Sequence, residues 1–377
     1  MLKMQERLQR KLLKRQKQGN LRELKIPQNL CDFFSNDYLG LAGCGELTAQ
    51  IQEHFLQIKL ITNGSTGSRL LSGNSEYAMN LENDLASRFK TEKSLLFNSG
   101  YAANLSLIST IAQKGDTIIY DQHSHACIKE GARLSYARHF SFRHNDLQDL
   151  QLKLEKAVGD KFVIVESLYS MEGDYAPIAD LVGLCTAYEA HLIIDEAHTT
   201  GWLGDQGTGF TCLEKLEQQV LARVHTFGKA LGVQGGCVAG PAWLIDYLVN
   251  FARPFIYTTA MPLYSLAAIK SAFLYLDANP ELVDKLFNNI DHFGETLSKL
   301  GWPRDRFNPN SPIQKIILGS NQKATKIASY LNANGMDVRP IMPPTVKEDS
   351  ARIRICLHAY NSHQQIQKLI KLLAERV

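Results

Sequence analysis

Lys229 stands in TFGKALG (226–232), an amine on a glycine-flanked turn that follows the apolar run beginning at Arg223 and leaves room for a ligand. Such an amine can form an imine with a carbonyl compound. Once released it can act as a general base, because burial and cationic neighbours favour its neutral form. Asp195 closes a second apolar run, HLIID (191–195), where a carboxylate is costly unless it meets a cation. Two other chemistries compete for these residues. DEAH (195–198) is the acidic signature of nucleic-acid-dependent ATPases, but that chemistry needs a G-x-x-x-x-G-K-[ST] loop, and FGKAL lacks both the earlier glycine and the following hydroxyl. His123, His125 and Cys127 alternate along an extended segment and could face one zinc ion in a metal-dependent hydrolase, although no complementary cluster appears elsewhere.

The elements that must position these residues repeat one device: a short run of Ile, Val and Leu, an abrupt polar or glycine set, then a helical pattern. SLLFNSG (94–100), TIIYDQHSH (117–125), FVIVES (162–167), HLIIDEAH (191–198) and RVHTFGK (223–229) all follow it. Runs that are apolar throughout predict strands covered on both faces in a mainly parallel sheet, with ligands beyond the carboxyl ends of the strands. A lysine, an acid for a ring nitrogen, an aromatic cover and donors for a phosphate are what pyridoxal 5'-phosphate (PLP) requires, and all can be placed at those ends. From about residue 285 the order becomes helix, strand, helix, a proline-rich turn (RPIMPP, 339–344), strand and final helix, which predicts a smaller α+β domain. The expected division is 1–50 packing across the other parts, 51–284 as the large domain and 285–377 as the small one.

The 377 residues carry 41 basic and 38 acidic groups, a formal charge of +3, so no field of one sign is available to hold a nucleic acid. Seven scattered cysteines with no C-x-x-C pair predict reduced thiols in a cytoplasmic protein. No apolar stretch approaches the roughly 20 residues of a membrane span, and no secretory signal is evident. Met1, Met4, Leu8 and Leu12 share a face of a basic amphipathic helix, which is expected to cap a domain or a neighbouring subunit rather than lie on a membrane.

NDYLGLA (36–42), GSTGSRLLSGN (64–74), FNSGYAAN (97–104), HSHAC (123–127), ESLYSMEGDYAPI (166–178), IDEAH (194–198), TFGKALG (226–232) and FIYTTAMP (255–262) resemble, in order and spacing, the α-oxoamine synthase family of PLP enzymes over nearly the whole chain. The resemblance implies a fold type I, aminotransferase-like large domain (α/β) with a smaller α+β carboxyl-terminal domain. It places the imine on Lys229, the ring-nitrogen partner on Asp195, contacts to the ring oxygen on His198 and Ser170, and a stacking ring on His125. The phosphate falls to Gly100 and Tyr101, whose amides open a helix, with the hydroxyl of Thr226 and with Thr258 or Thr259 from a neighbouring subunit. A homodimer with shared sites is therefore implied. Arg354 matches the family position for the amino-acid carboxylate, which a guanidinium grips at two points, and Asn36 supports it. Arg22 and Thr345 match acyl-side positions.

Within the family, PPTV (343–346) and ARIRI (351–355) point to L-alanine and a pimeloyl thioester, carried as pimeloyl-CoA or on pimeloyl-acyl carrier protein, condensed with loss of CO2 to 8-amino-7-oxononanoate for biotin biosynthesis. Members that make aminolevulinate or aminoketobutyrate from glycine are the alternatives. Three positions depart from the pattern: Met342 stands for an arginine, Thr199 for a glycine and Asn361 for a histidine.

Overall fold

The computed structural model describes residues 2–24, 26, 29–58, 62–304 and 307–377; Met1, placed above on the apolar helix face, lies outside them. The chain divides into two compact units. One holds Leu39–Ser170 and Asp174–Val283; the other holds the stretch up to Tyr38, Met171–Gly173 and Asp284–Val377.

The larger unit is built on seven strands, β1 (Lys93–Phe97), β2 (Thr117–Asp121), β3 (Arg138–Phe142), β4 (Lys161–Glu166), β5 (Ala190–Asp195), β6 (Ala222–Thr226) and β7 (Gly236–Gly240). Their order is β1-β7-β6-β5-β4-β2-β3. Only β7 runs against its neighbours, so β1 to β6 all end on one edge of the sheet. Five of these strands are the apolar runs read from the sequence. Period two sends alternate residues to opposite faces, and both faces are covered: Ile164, Ile193, Val224 and Val238 join one core, while Val163, Val165, Leu192 and Ile194 join the other.

β3 and β7 were not among the expected strands. β3 is an edge strand whose first four residues are exposed, and β7 is the glycine-bounded run GCVAG, whose small side chains let neighbours approach. Gly236 in β7 needs that lack of a side chain, since a Cβ there would lie 2.7 Å from the amide nitrogen of Gly100.

The smaller unit carries an antiparallel sheet of β8 (Ile313–Gly319), β9 (Arg339–Ile341) and β10 (Ala351–Cys356), in the order β9-β10-β8. Helices Glu281–Lys299, Asn321–Ala333 and His363–Ala374 complete the expected order. The first half of RPIMPP is strand rather than turn. Pro340 is tolerated because β9 is an edge, where the missing N–H costs no ladder bond. Cys31–Asp32 pairs in parallel with Met336–Asp337, tying the early chain to this unit. Ahead of it the basic helix spans Leu2–Lys17, and the chain beyond is fastened by Asn321 Nδ2 to Gln18 O at 3.1 Å and by Asn20 Nδ2 to Pro343 O at 3.0 Å. Among the described residues no helix is long and apolar enough to cross a membrane.

Candidate active site

The sheet edge where β1 to β6 end gathers most of the residues singled out above. Behind β1, Ser99 caps the helix Gly100–Ile111 by accepting from Ala102 N, and the first amides, of Gly100 and Tyr101, point out of the helix start. A Cβ on Gly100 would stand 1.8 Å from Oγ1 of Thr226, the last residue of β6. The amide end of a helix and a hydroxyl therefore meet with no side chain between them, a cradle suited to a phosphate. Lys229 follows on a turn closed by Phe227 N to Gly235 O at 3.0 Å and Val233 N to Phe227 O at 3.0 Å. Gly232, at φ +64°, lets that turn press on Ala42, whose amide nitrogen would lie 2.3 Å from a Cβ there.

Asp195 is buried at the end of β5. Its Oδ2 accepts from Asn104 Nδ2 at 2.8 Å and its Oδ1 from Ala197 N at 2.8 Å. His198, three residues on, is also buried, and its carbonyl accepts from Trp202 Nε1 at 2.7 Å. His125 caps the helix Ala126–Leu134 after β2, its Nδ1 accepting from Cys127 N at 3.3 Å. Desolvation holds its imidazole below the ordinary value; the charge of Asp195 opposes this and that of Lys229 adds to it.

Glu166, at the end of β4, was missed as a site residue. Its buried carboxylate accepts from His125 N at 2.5 Å and from Ser170 N at 3.3 Å, joining the segments that carry these two candidates. Burial, reinforced by Asp195 and opposed by Lys229, pushes it up to about 8. Thr258 and Thr259 line an apolar cavity with Leu96 and Ala102, and Asn98 Nδ2 donates to Thr259 O at 3.1 Å.

The remaining candidates lie in the smaller unit. Arg354 is buried on β10 and donates from Nη2 to Asn36 Oδ1 at 2.7 Å, while its Nε is buried with no protein partner. A buried guanidinium with donors to spare is what a carboxylate ligand satisfies. Arg22 Nη2 donates to Thr345 Oγ1 at 3.3 Å, so the two acyl-side candidates meet. Met342 receives the hydroxyl of Thr325 at 3.8 Å. Asn361 Oδ1 accepts from His358 N at 2.9 Å, and its Nδ2 donates to Asp32 O at 3.0 Å, bonds that stitch the turn beyond β10. Thr199 bonds Ser167 Oγ at 2.9 Å.

The zinc reading of His123, His125 and Cys127 fails on geometry. The ring of His123 stacks on His144 at 4.3 Å, whereas His125 Nδ1 meets Cys127 Sγ at 3.0 Å. Among the described residues no group of three or more His, Cys, Asp or Glu converges on one point. Desolvation also pushes the Cys127 thiol up, away from the thiolate that zinc requires.

A mainly parallel sheet with lysine, aspartate and an amide cradle at one edge defines an aminotransferase-like, fold type I enzyme. The family model for aminotransferase class I and II matches residues 28–373. An 8-amino-7-oxononanoate synthase of Marinobacter nauticus is 37% identical over 349 residues, covering 92% of this chain and 87% of that one. Among solved structures, serine palmitoyltransferase from S. paucimobilis with bound PLP and myriocin matches with a TM-score of 0.88 at 26% identity, over 100% of this chain and 98% of that one. The 8-amino-7-oxononanoate synthase of Francisella tularensis matches with a TM-score of 0.76 at 28% identity, over 92% and 97%. The chain belongs to the aminotransferase class I and II family, in its α-oxoamine synthase branch.

Proposed function

We propose that this chain is a PLP-dependent acyltransferase that condenses L-alanine with a pimeloyl thioester, releasing CO2 and forming 8-amino-7-oxononanoate in biotin biosynthesis. Bound PLP supplies the electron sink that makes carbanion chemistry at the amino-acid α carbon accessible. Lys229 would hold the cofactor through its amine, and the same amine would serve as the base for the α-proton. Asp195, fixed by Asn104 and the Ala197 amide, holds the ring nitrogen in its protonated form. Gly100, Tyr101 and Thr226 bind the phosphate, with Thr258 or Thr259 from a second subunit completing it. His125 covers one ring face, and His198 and Ser170 orient the ring oxygen. Arg354, steadied by Asn36, would grip the alanine carboxylate and so fix the orientation of the amino acid. Arg22 and Thr345 border the acyl chain. The seven cysteines, none of them in a disulfide, suit the cytoplasm, where thiols stay reduced.

The observation that carries this reading is the meeting, at one sheet edge, of the Gly100–Thr226 cradle with the buried Asp195–Asn104 pair. The test is kcat/KM for alanine with pimeloyl thioester against glycine with acetyl, succinyl or palmitoyl thioesters. Alanine with pimeloyl is expected to lead by well over tenfold. A tenfold lead for glycine with acetyl or succinyl thioester would overturn the biotin assignment while leaving the branch intact.

A further inference from the structure

His144 lies just beyond β3, half-buried, and is none of the residues assigned above to the cofactor or the substrates. Its Nδ1 is 3.0 and 3.1 Å from the two oxygens of Asp121, and its Nε2 is 2.9 and 3.2 Å from those of Asp174. An ionised carboxylate only accepts hydrogen bonds, so both ring nitrogens must donate, and the ring is an imidazolium. Burial alone would depress its pKa. The hydrogen bonds and charges of Asp121 and Asp174 outweigh burial and lift it to about 9.

The two carboxylates sit at the roots of two functional loops. Asp121 ends β2, and its Oδ1 also accepts from His123 N at 2.7 Å while its carbonyl accepts from Ser124 N at 3.0 Å, which sets the turn leading into His125. Asp174 lies in the loop after β4, and its carbonyl accepts from Tyr169 N at 3.0 Å, beside Ser170. Asn145, next to His144, repeats the link: its N donates to Asp121 Oδ2 at 2.9 Å and its Nδ2 to Tyr175 O at 3.1 Å. The groups facing the imidazolium are therefore Asp121 from β2, Asp174 and the edge-on ring of Tyr169 from the loop after β4, and the stacked ring of His123.

We propose that His144 is a positioning residue whose imidazolium, bridging Asp121 and Asp174, sets the loops of His125 and Ser170 and so the geometry in which those side chains meet the cofactor ring. This rests on the cofactor assignment above and not on the choice of acyl substrate. Without the positive ring two carboxylates would stand opposed across a half-buried gap, and the loops would part.

The test compares wild type, His144→Gln and Asp174→Asn without substrates. NMR of the imidazole protons in the cofactor-free protein is expected to show one histidine titrating near 9, absent from His144→Gln and shifted down in Asp174→Asn. The visible circular dichroism of bound PLP is expected to fall in wild type as pH rises through that value, with PLP affinity dropping about tenfold. In His144→Gln both should already be at the high-pH level at neutral pH. Wild-type dichroism and affinity in His144→Gln would overturn the proposal. If that variant does not fold, an unshifted dichroism midpoint in Asp174→Asn overturns it equally. Failure to condense alanine with pimeloyl thioester would sink the proposed function while leaving these readouts standing.

Discussion

The side-chain amide of Asn104 donates both to Gly100 O, at 3.2 Å, and to Asp195 Oδ2, at 2.8 Å, so one buried residue couples the helix that opens the anion cradle to the carboxylate at the end of β5. A hydrogen bond to a buried charge contributes about 1.5–3 kcal/mol. Asn104→Ala should lower stability by about 2 kcal/mol in urea unfolding of the cofactor-free protein and weaken PLP binding in the same preparation. Unchanged values for both would show that the pair is incidental.

The close approach of Gly100 to Thr226 leads to a non-additive pair. Thr226→Ala removes the proposed phosphate donor and should weaken PLP binding about three- to tenfold. Gly100→Ala drives a methyl group into the threonine hydroxyl and should cost more. The double variant is expected to bind PLP better than Gly100→Ala alone, because the clash partner has gone. Titration of the cofactor-free proteins with PLP reads all three.

Arg354 should act on the amino acid and not on the cofactor. Arg354→Lys keeps the charge but loses the planar two-point grip, so KM for L-alanine should rise at least about tenfold with PLP affinity unchanged. An equal loss of PLP binding would move Arg354 into the cofactor's own contacts.

Subunit mixing examines the proposed sharing of sites between subunits. Lys229→Ala and Thr258→Ala/Thr259→Ala proteins should each be nearly inactive, yet regain about a quarter of wild-type activity when unfolded and refolded together, since hybrid dimers contain one intact site. A fully active monomer in sedimentation would contradict the arrangement.

Glu172 gives a stability signature in acid. Burial opposes its ionisation, but the Lys315 ammonium and the Arg352 guanidinium, each at 2.6 Å, hold its carboxyl down at about 2. A depressed pKa contributes stability that is complete above the ordinary glutamate value and is lost as pH falls through the folded one. Unfolding midpoints should therefore drop between about pH 4.5 and 2. Glu172→Gln should flatten that part of the profile while lowering stability at pH 7.

The sequence revealed the strands whose character is one-dimensional. Runs such as FVIVE and HLIID declare a strand buried on both faces, and the polar residues at their ends mark the site edge. β3 and β7 stayed hidden, because RHFSF mixes polar with apolar residues and GCVAG is short and bounded by glycines; only the neighbours across the ladder make them strands. Asn104, Glu166 and His144 escaped for a related reason. Each earns its place by partners 91, 41 and 23 residues away, a relation that composition and spacing do not carry.

The smaller unit draws on both ends of the chain and on Met171–Gly173, whose Glu172 is clamped by Lys315 and Arg352. Its earliest strand pairing, Cys31–Asp32 with Met336–Asp337, joins residues that leave the ribosome some three hundred positions apart. During synthesis Cys31–Asp32 must wait for Met336–Asp337 while the larger unit is made between them. Neither unit can be released intact by a single cut in the chain.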